Sequence, residues 1–104
     1  MGADLQGACL RGTNLQGAIL RYSNLQKANL VGVNLKGAYL GESNLQEVNL
    51  MGVNIQGTKV LEKDWIEKLE EWQVAGKDQI AYHWIVDSDA QSGIFGGHYL
   101  IKKR

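Results

Sequence analysis

Apolar residues recur every five positions through the first part of the chain, at Leu5, Leu10, Leu15, Leu20, Leu25, Leu30, Leu35, Leu40, Leu45, Leu50, Ile55 and Val60, without an insertion. A small residue stands two places before each of them, from Ala3 and Ala8 to Val53 and Thr58, and the position between is usually Asn. A period of five fits neither a helix at 3.6 nor a strand at 2.0, so the chain must turn after every five residues. A longer repeat of twenty sits inside the short one: Gly12, Gly32 and Gly52 align, as do Gly17, Gly37 and Gly57, and Gln6, Gln26 and Gln46. Four pentapeptides therefore make one coil, and three coils fit. Alternation sends residues two apart to the same side of an extended segment, which turns each leucine and its small neighbour inward and the intervening Asn outward. The pattern predicts an all-β, four-sided solenoid with a filled core over residues 3–62, followed by a second unit over residues 63–104.

The fifth-position glycines suit corners, where positive φ costs glycine least. Asn at the outward position is expected to hydrogen-bond locally to turn backbone, and Gln6, Gln26 and Gln46 are expected to stack as an amide ladder on one side. Only Met1 and Gly2 precede the first repeat, and repeat arrays expose a hydrogen-bonding edge unless it is covered. Two molecules abutting through their N-terminal coils, or trimming from a longer chain, would account for that opening.

The segments ADLQG at 3–7, TNLQG at 13–17 and SNLQK at 23–27 resemble the A(D/N)LXX pattern of the pentapeptide-repeat family, and the resemblance covers roughly the first 60 residues. It implies a right-handed quadrilateral β-helix of about three coils. It implies little about activity, because many members have none assigned.

Departures from the pattern mark where the repeat surface carries information. The outward positions of the fourth side hold Ile19, Tyr39 and Lys59, Tyr22 stands at the neighbouring corner, and the second side adds Val31 and Met51. Apolar side chains pointing out of a solenoid need covering. Either the C-terminal tail folds back on one of these stripes, or Ile19, Tyr22, Tyr39, Val31 and Met51 form an interaction surface for another protein.

After Val60 the five-residue rhythm stops, and all three tryptophans lie beyond it. Asp64 followed by Glu67 reads as a capping box, and Trp65, Ile66, Leu69 and Trp72 follow at helical spacing, with Gly76 as the C-cap. This helix is expected to cover the open bottom of the third coil. From Ile80 the period changes to two: Ile80, Tyr82, Trp84 and Val86 share one face of a predicted strand, and Ala81, His83 and Ile85 the other. Asp87 to Gly93 reads as a polar turn and Ile94 to Ile101 as a second strand. The WxxxLxxWxV run at 65–74 is similar to tails that follow pentapeptide repeats in some cyanobacterial proteins. A hairpin joined through Ala75 and Gly76 is also free in principle to exchange with a second molecule.

Charge excludes more than it proposes. Eleven basic residues balance eleven acidic ones, which argues against a nucleic-acid-binding polycation. No apolar run reaches the roughly 18–20 residues needed to span a bilayer, so no membrane association is predicted and a cytoplasmic location is the expectation. The single cysteine, Cys9, forms no internal disulfide and occupies an outward slot. His83 and His98 flank Asp87 and Asp89 without the spacing of a zinc site. A calcium loop beginning at Asp87 would have Ser92 in place of its glycine and His98 in place of its final glutamate. Gly93, Gly96 and Gly97 lack the lysine and the helix of a phosphate loop. No cofactor, metal or catalytic constellation is predicted.

Two classes of function follow. The first is a non-enzymatic scaffold or protein-interaction module, acting on a protein partner or through self-association by the N-terminal coil or an exchanged hairpin. The alternative, implied by the family resemblance, is a DNA mimic that inhibits a type II topoisomerase. Three coils at about 4.8 Å make a rod of about 14 Å, matching duplex DNA that carries about eight negative charges. From Ala3 to Thr58 the repeats instead hold Asp4, Glu42 and Glu47 against Arg11, Arg21, Lys27 and Lys36, so the mimic would be too short and of the wrong sign. A small enzyme housed in the tail, the remaining option, has no constellation to support it.

Overall fold

The computed structural model describes residues 2–91 and 99–104. Through the repeats the chain returns to register every twenty residues, in parallel bridges such as Asp4↔Asn24, Asn29↔Asn49, Asn34↔Asn54 and Tyr39↔Lys59. The backbone bonds that make these bridges repeat layer by layer: Leu10 N donates to Asn29 O at 2.8 Å and Leu30 N to Asn49 O at 2.9 Å, while Asn49 N donates to Ala28 O at 3.1 Å. Three layers of twenty residues result, at 3–22, 23–42 and 43–62. The alternation read from the sequence fixes what they enclose. Leu25, Leu30, Leu35, Leu50, Ile55, Val33 and Val48 are fully buried, whereas Leu5, Leu10 and Leu15 in the first layer are only partly so. Burying one such side chain contributes about 1.5–3 kcal/mol, an upper figure relative to an extended chain. The buried hydroxyl of Thr58 is satisfied by donating to Leu35 O at 2.9 Å.

Corners take the left-handed conformation throughout, with φ near 70° at glycines such as Gly12 and Gly32. Tyr22, Lys27, Glu42 and Glu47 adopt it without being glycine, at φ 57–63°, a strained choice for an L side chain. The outward Asn residues behave as the turn chemistry predicts: Asn14, Asn24, Asn34 and Asn44 Oδ1 each accept the backbone N–H two residues on at 3.0 Å. The Gln column does not form the expected ladder among the described residues. Gln6 Oε1 instead accepts from Asn24 Nδ2, and Gln16 Oε1 from Asn34 Nδ2, both at 3.5 Å. These amides meet the neighbouring Asn column first because the two lie side by side on the same flat side.

The remaining elements are β1 (Lys59–Val60), α1 (Trp65–Glu71), α2 (Lys77–His83), β2 (Trp84–Gln91) and β3 (Tyr99–Lys103). The strands form one antiparallel sheet in the order β1-β3-β2. Trp65, Leu69, Val74, Ile80, Trp84 and Ile101 join the leucines in one continuous core, so the tail does close the bottom of the third layer.

Several expectations for the tail are corrected. Helix α1 stops at Glu71 rather than near Gly76, and Asp64 at its N-cap makes no side-chain capping bond. The reason lies in the next four residues, which turn back into the repeat ladder: Glu47 N donates to Trp72 O at 2.8 Å and Leu50 N to Ala75 O at 2.9 Å, with Ala75 N donating to Val48 O at 2.9 Å. Gly76 closes this segment in the left-handed region at φ 90° and opens α2. The period-two reading from Ile80 fails because residues 77–83 are helical, with Ile80 N donating to Gly76 O at 3.0 Å. Ile80 and Trp84 are buried four residues apart while Tyr82 is 76% exposed, which is a helical spacing. The turn expected at Asp87 to Gly93 is instead strand as far as Gln91, with a register shift between Asp87 and Gln91. The second strand begins at Tyr99. The part of its expected range at 94–98, together with His98 and the Gly93, Gly96, Gly97 cluster, lies outside the described residues.

Candidate interaction surface

On the fourth side the bridges Ile19↔Tyr39 and Tyr39↔Lys59 stack three outward side chains one per layer. Ile19 is 81% exposed, and Tyr39 is half-buried. The residue that allows the tyrosine to lie down is Gly41, where a Cβ would come within 2.5 Å of Tyr39 Cε1. Lys59 Nζ donates to Gly37 O at 3.2 Å, holding the ammonium against the same side. A groove of about 400 Å³ results, lined by Gly17, Ile19, Arg21, Gly37, Tyr39 and Lys59.

The adjoining corner is organised by Arg21. Its guanidinium lies 4.8 Å from the Tyr22 ring centre and 5.5 Å from that of Tyr39, within cation–π range of both. Its Nε and Nη2 donate to Glu42 Oε1 at 3.1 and 2.9 Å. Hydrogen bonding from Arg21 foremost, and from Tyr22 second, holds the Glu42 carboxyl below its usual value of 4.5. The hydrogen bond to Glu42 is also the main cause that raises the Tyr22 hydroxyl above 10.0. Being exposed, the pair orients the corner more than it stabilises the fold. The folded pKa of Glu42 is depressed, so its contribution is present above the unfolded value near 4.5 and is lost as pH falls through the folded value. In a carboxyl-carbon NMR titration Glu42 is expected to titrate below 4.5 in the native chain and to move up in Arg21→Ala; an unchanged midpoint would show that Arg21 does not hold it.

The five residues singled out in the sequence fall in two places. Ile19, Tyr22 and Tyr39 meet on the fourth side with Arg21. Val31 is half-buried elsewhere, and Met51, 50% exposed, lines a separate groove beside Ile80 and Trp84. Arg21 and Glu42 were not anticipated. The signal was available: their numbers differ by one layer plus one residue, which sets opposite charges on adjacent columns. Cys9 is exposed, as its slot predicts. Among the described residues no three His, Cys, Asp or Glu side chains gather as a metal site, and no helix is long and apolar enough to cross a membrane.

Comparison with known proteins bears on the repeats. A crystal structure of a pentapeptide repeat protein from the cyanobacterium Cyanothece 51142 is 51% identical over 53% of this chain, with a TM-score of 0.49, and this chain spans 35% of its length. A pentapeptide repeat protein from the Arabidopsis thaliana thylakoid lumen is 26% identical over 68% of this chain and 77% of its own, with a TM-score of 0.31. Among curated proteins no match was found. The family model described as pentapeptide repeats matches in eight copies, over residues 1–37 and 28–60. Those spans together take in more than half of the chain, which therefore belongs to the pentapeptide-repeat family.

Proposed function

We propose that the protein is a non-enzymatic scaffold and interaction module: a right-handed quadrilateral β-helix of about three coils whose fourth side receives a protein partner. The layers repeat at about 4.8 Å, so side chains on that side stand in a fixed column and lose little freedom on binding. The observation that carries the reading is Ile19, 81% exposed beside the 46% exposed Tyr22, on the rim of a groove that also holds Tyr39 and Arg21. A lone exposed aliphatic residue is ordinary. An aliphatic anchor, a tyrosine and an arginine lining one groove, with a second tyrosine stacked on that arginine at the adjoining corner, is the composition of an interface hot spot.

Ile19→Asp is the discriminating variant, because a residue so exposed tolerates substitution within about 0.5 kcal/mol. A partner cross-linked to the wild-type chain in its host, then purified, is expected to bind the wild type stoichiometrically in titration calorimetry and to bind Ile19→Asp and Tyr39→Glu at least about ten-fold more weakly. Equal binding by Ile19→Asp would remove the fourth side as the docking surface.

A further inference from the structure

The upper face of the first layer is open on all four sides at once. Within the stack, the central residue of each side turns both of its backbone groups toward the layer above: Asn24 N donates to Ala3 O at 2.9 Å and Asn24 O accepts from Leu5 N at 2.8 Å, and Tyr39 does the same with Ala18 O and Leu20 N, both at 2.9 Å. Their counterparts in the first layer are Asp4, Cys9, Asn14 and Ile19, one to a side, and among the described residues none of these four has a backbone partner for its N–H or its C=O. All four are exposed, so this edge is accessible, whereas the opposite end of the stack is paired with the tail on its second and fourth sides. The apolar interior is open here too. Leu5, Leu10 and Leu15 are only partly buried, while Leu25, Leu30 and Leu35 below them are 0% exposed.

This face is complementary to itself. Two copies placed face to face run antiparallel on every side, and residues that each offer N–H and C=O toward the other form the hydrogen-bonded pair of an antiparallel ladder, with Cα atoms about 5.5 Å apart. The register follows from the ramp of the coil. Each layer descends one strand spacing of about 4.8 Å, so each side lies about 1.2 Å below the one before it. Two such ramps meet without a gap only if the first side of one copy lies on the fourth of the other, and the second on the third. Asp4 then opposes Ile19 of the second copy, and Cys9 opposes Asn14. In that register Leu5, Leu10, Leu15 and Leu20 fall on Ala18, Thr13, Ala8 and Ala3 of the second copy, a large side chain on a small one at every side. Asp4 lies diagonal to Arg21 of the second copy, within reach of a long side chain. Arg11 approaches its own copy near the two-fold axis, an exposed pair that salt screens.

We propose that a second copy of this chain covers the face, head to head, through four antiparallel pairs that join Asp4 to Ile19 and Cys9 to Asn14 across a two-fold axis. The contact uses the backbone of Ile19 and not its side chain, and it stands whether or not the fourth-side groove binds anything. Sedimentation equilibrium of the 104-residue chain is expected to give a dimer at high micromolar concentration. Amide exchange at Asp4, Cys9, Asn14 and Ile19 is expected to slow roughly ten-fold between dilute and concentrated samples. Disulfide trapping tests the register, because the paired Cα atoms fall within the range of about 4.4–6.8 Å that a disulfide spans. On mild oxidation Asn14→Cys is expected to give a covalent dimer joined through Cys9 of one copy and position 14 of the other. The wild type, whose one thiol is Cys9, and Asn14→Cys combined with Cys9→Ser are expected to cross-link at least about ten-fold more slowly. The proposal is overturned by a monomeric mass at that concentration, by a dimer whose four edge amides exchange as they do in the dilute sample, or by equal cross-linking of the three chains.

Discussion

Leu30→Ala is expected to lower the free energy of unfolding by about 2–5 kcal/mol, read from urea denaturation. Leu30 belongs to the middle layer and is 0% exposed, as is Leu50 directly below it. Layers above and below are tied to its own by backbone bonds, from Leu10 N to Asn29 O and from Leu30 N to Asn49 O. The walls of the void therefore cannot collapse without breaking the ladder, which places the loss toward the upper part of the range. Against a typical domain stability of roughly 5–15 kcal/mol, one such substitution removes a large share. Leu10→Ala, in the same column but only partly buried, is expected to cost markedly less. Equal losses at the two positions would mean that the column is not graded by depth.

Gly76→Ala is the second large effect, and its cause is local. The residue sits at φ 90°, and an added Cβ would lie 2.9 Å from Met51 N and 3.1 Å from Leu50 C. Neither atom is the free end of a side chain, so the backbone must separate. Segment 72–75 would move off the second side, weakening the bonds from Leu50 N to Ala75 O and from Ala75 N to Val48 O and uncovering Val74, now 2% exposed. The left-handed penalty of about 1–2 kcal/mol and two bonds at about 0.5–1.5 kcal/mol each give a loss of roughly 3 kcal/mol. Gly12→Ala is the control: its φ is 70° but nothing lies within 4 Å of the added carbon, so only the conformational penalty applies. Equal denaturation midpoints for the two variants would exclude close packing of Gly76 against the third layer.

Much of this architecture was legible in the sequence because a five-residue period leaves one register available. Each leucine, small residue and Asn had its side assigned by alternation, and the Asn-to-backbone bonds at 3.0 Å follow from turn chemistry alone. The tail was less legible for physical reasons. Residues 77–83 form a helix of seven residues, too short for 3.6 and 2.0 periodicity to separate when Ile80 and Trp84, four apart, satisfy either. Segment 72–75 contributes one bridge, Asn49↔Ala75, and its offset depends on how much chain α1 consumes, which no repeat announces. The candidate surface was legible in part: Ile19, Tyr22 and Tyr39 are found together, whereas Val31 and Met51 lie apart from them. Arg21 and Glu42 were missed because their pairing crosses from one column to the next.

The ladder of residues twenty apart can be seen directly by scalar coupling across hydrogen bonds in a doubly labelled sample. Cross-peaks are expected from the amides of Leu25, Leu30 and Leu35 to the carbonyl carbons of Asn44, Asn49 and Asn54 respectively. Couplings from these amides to carbonyls four residues earlier, as a helix would give, or none from any of the three, would contradict the stacked fold.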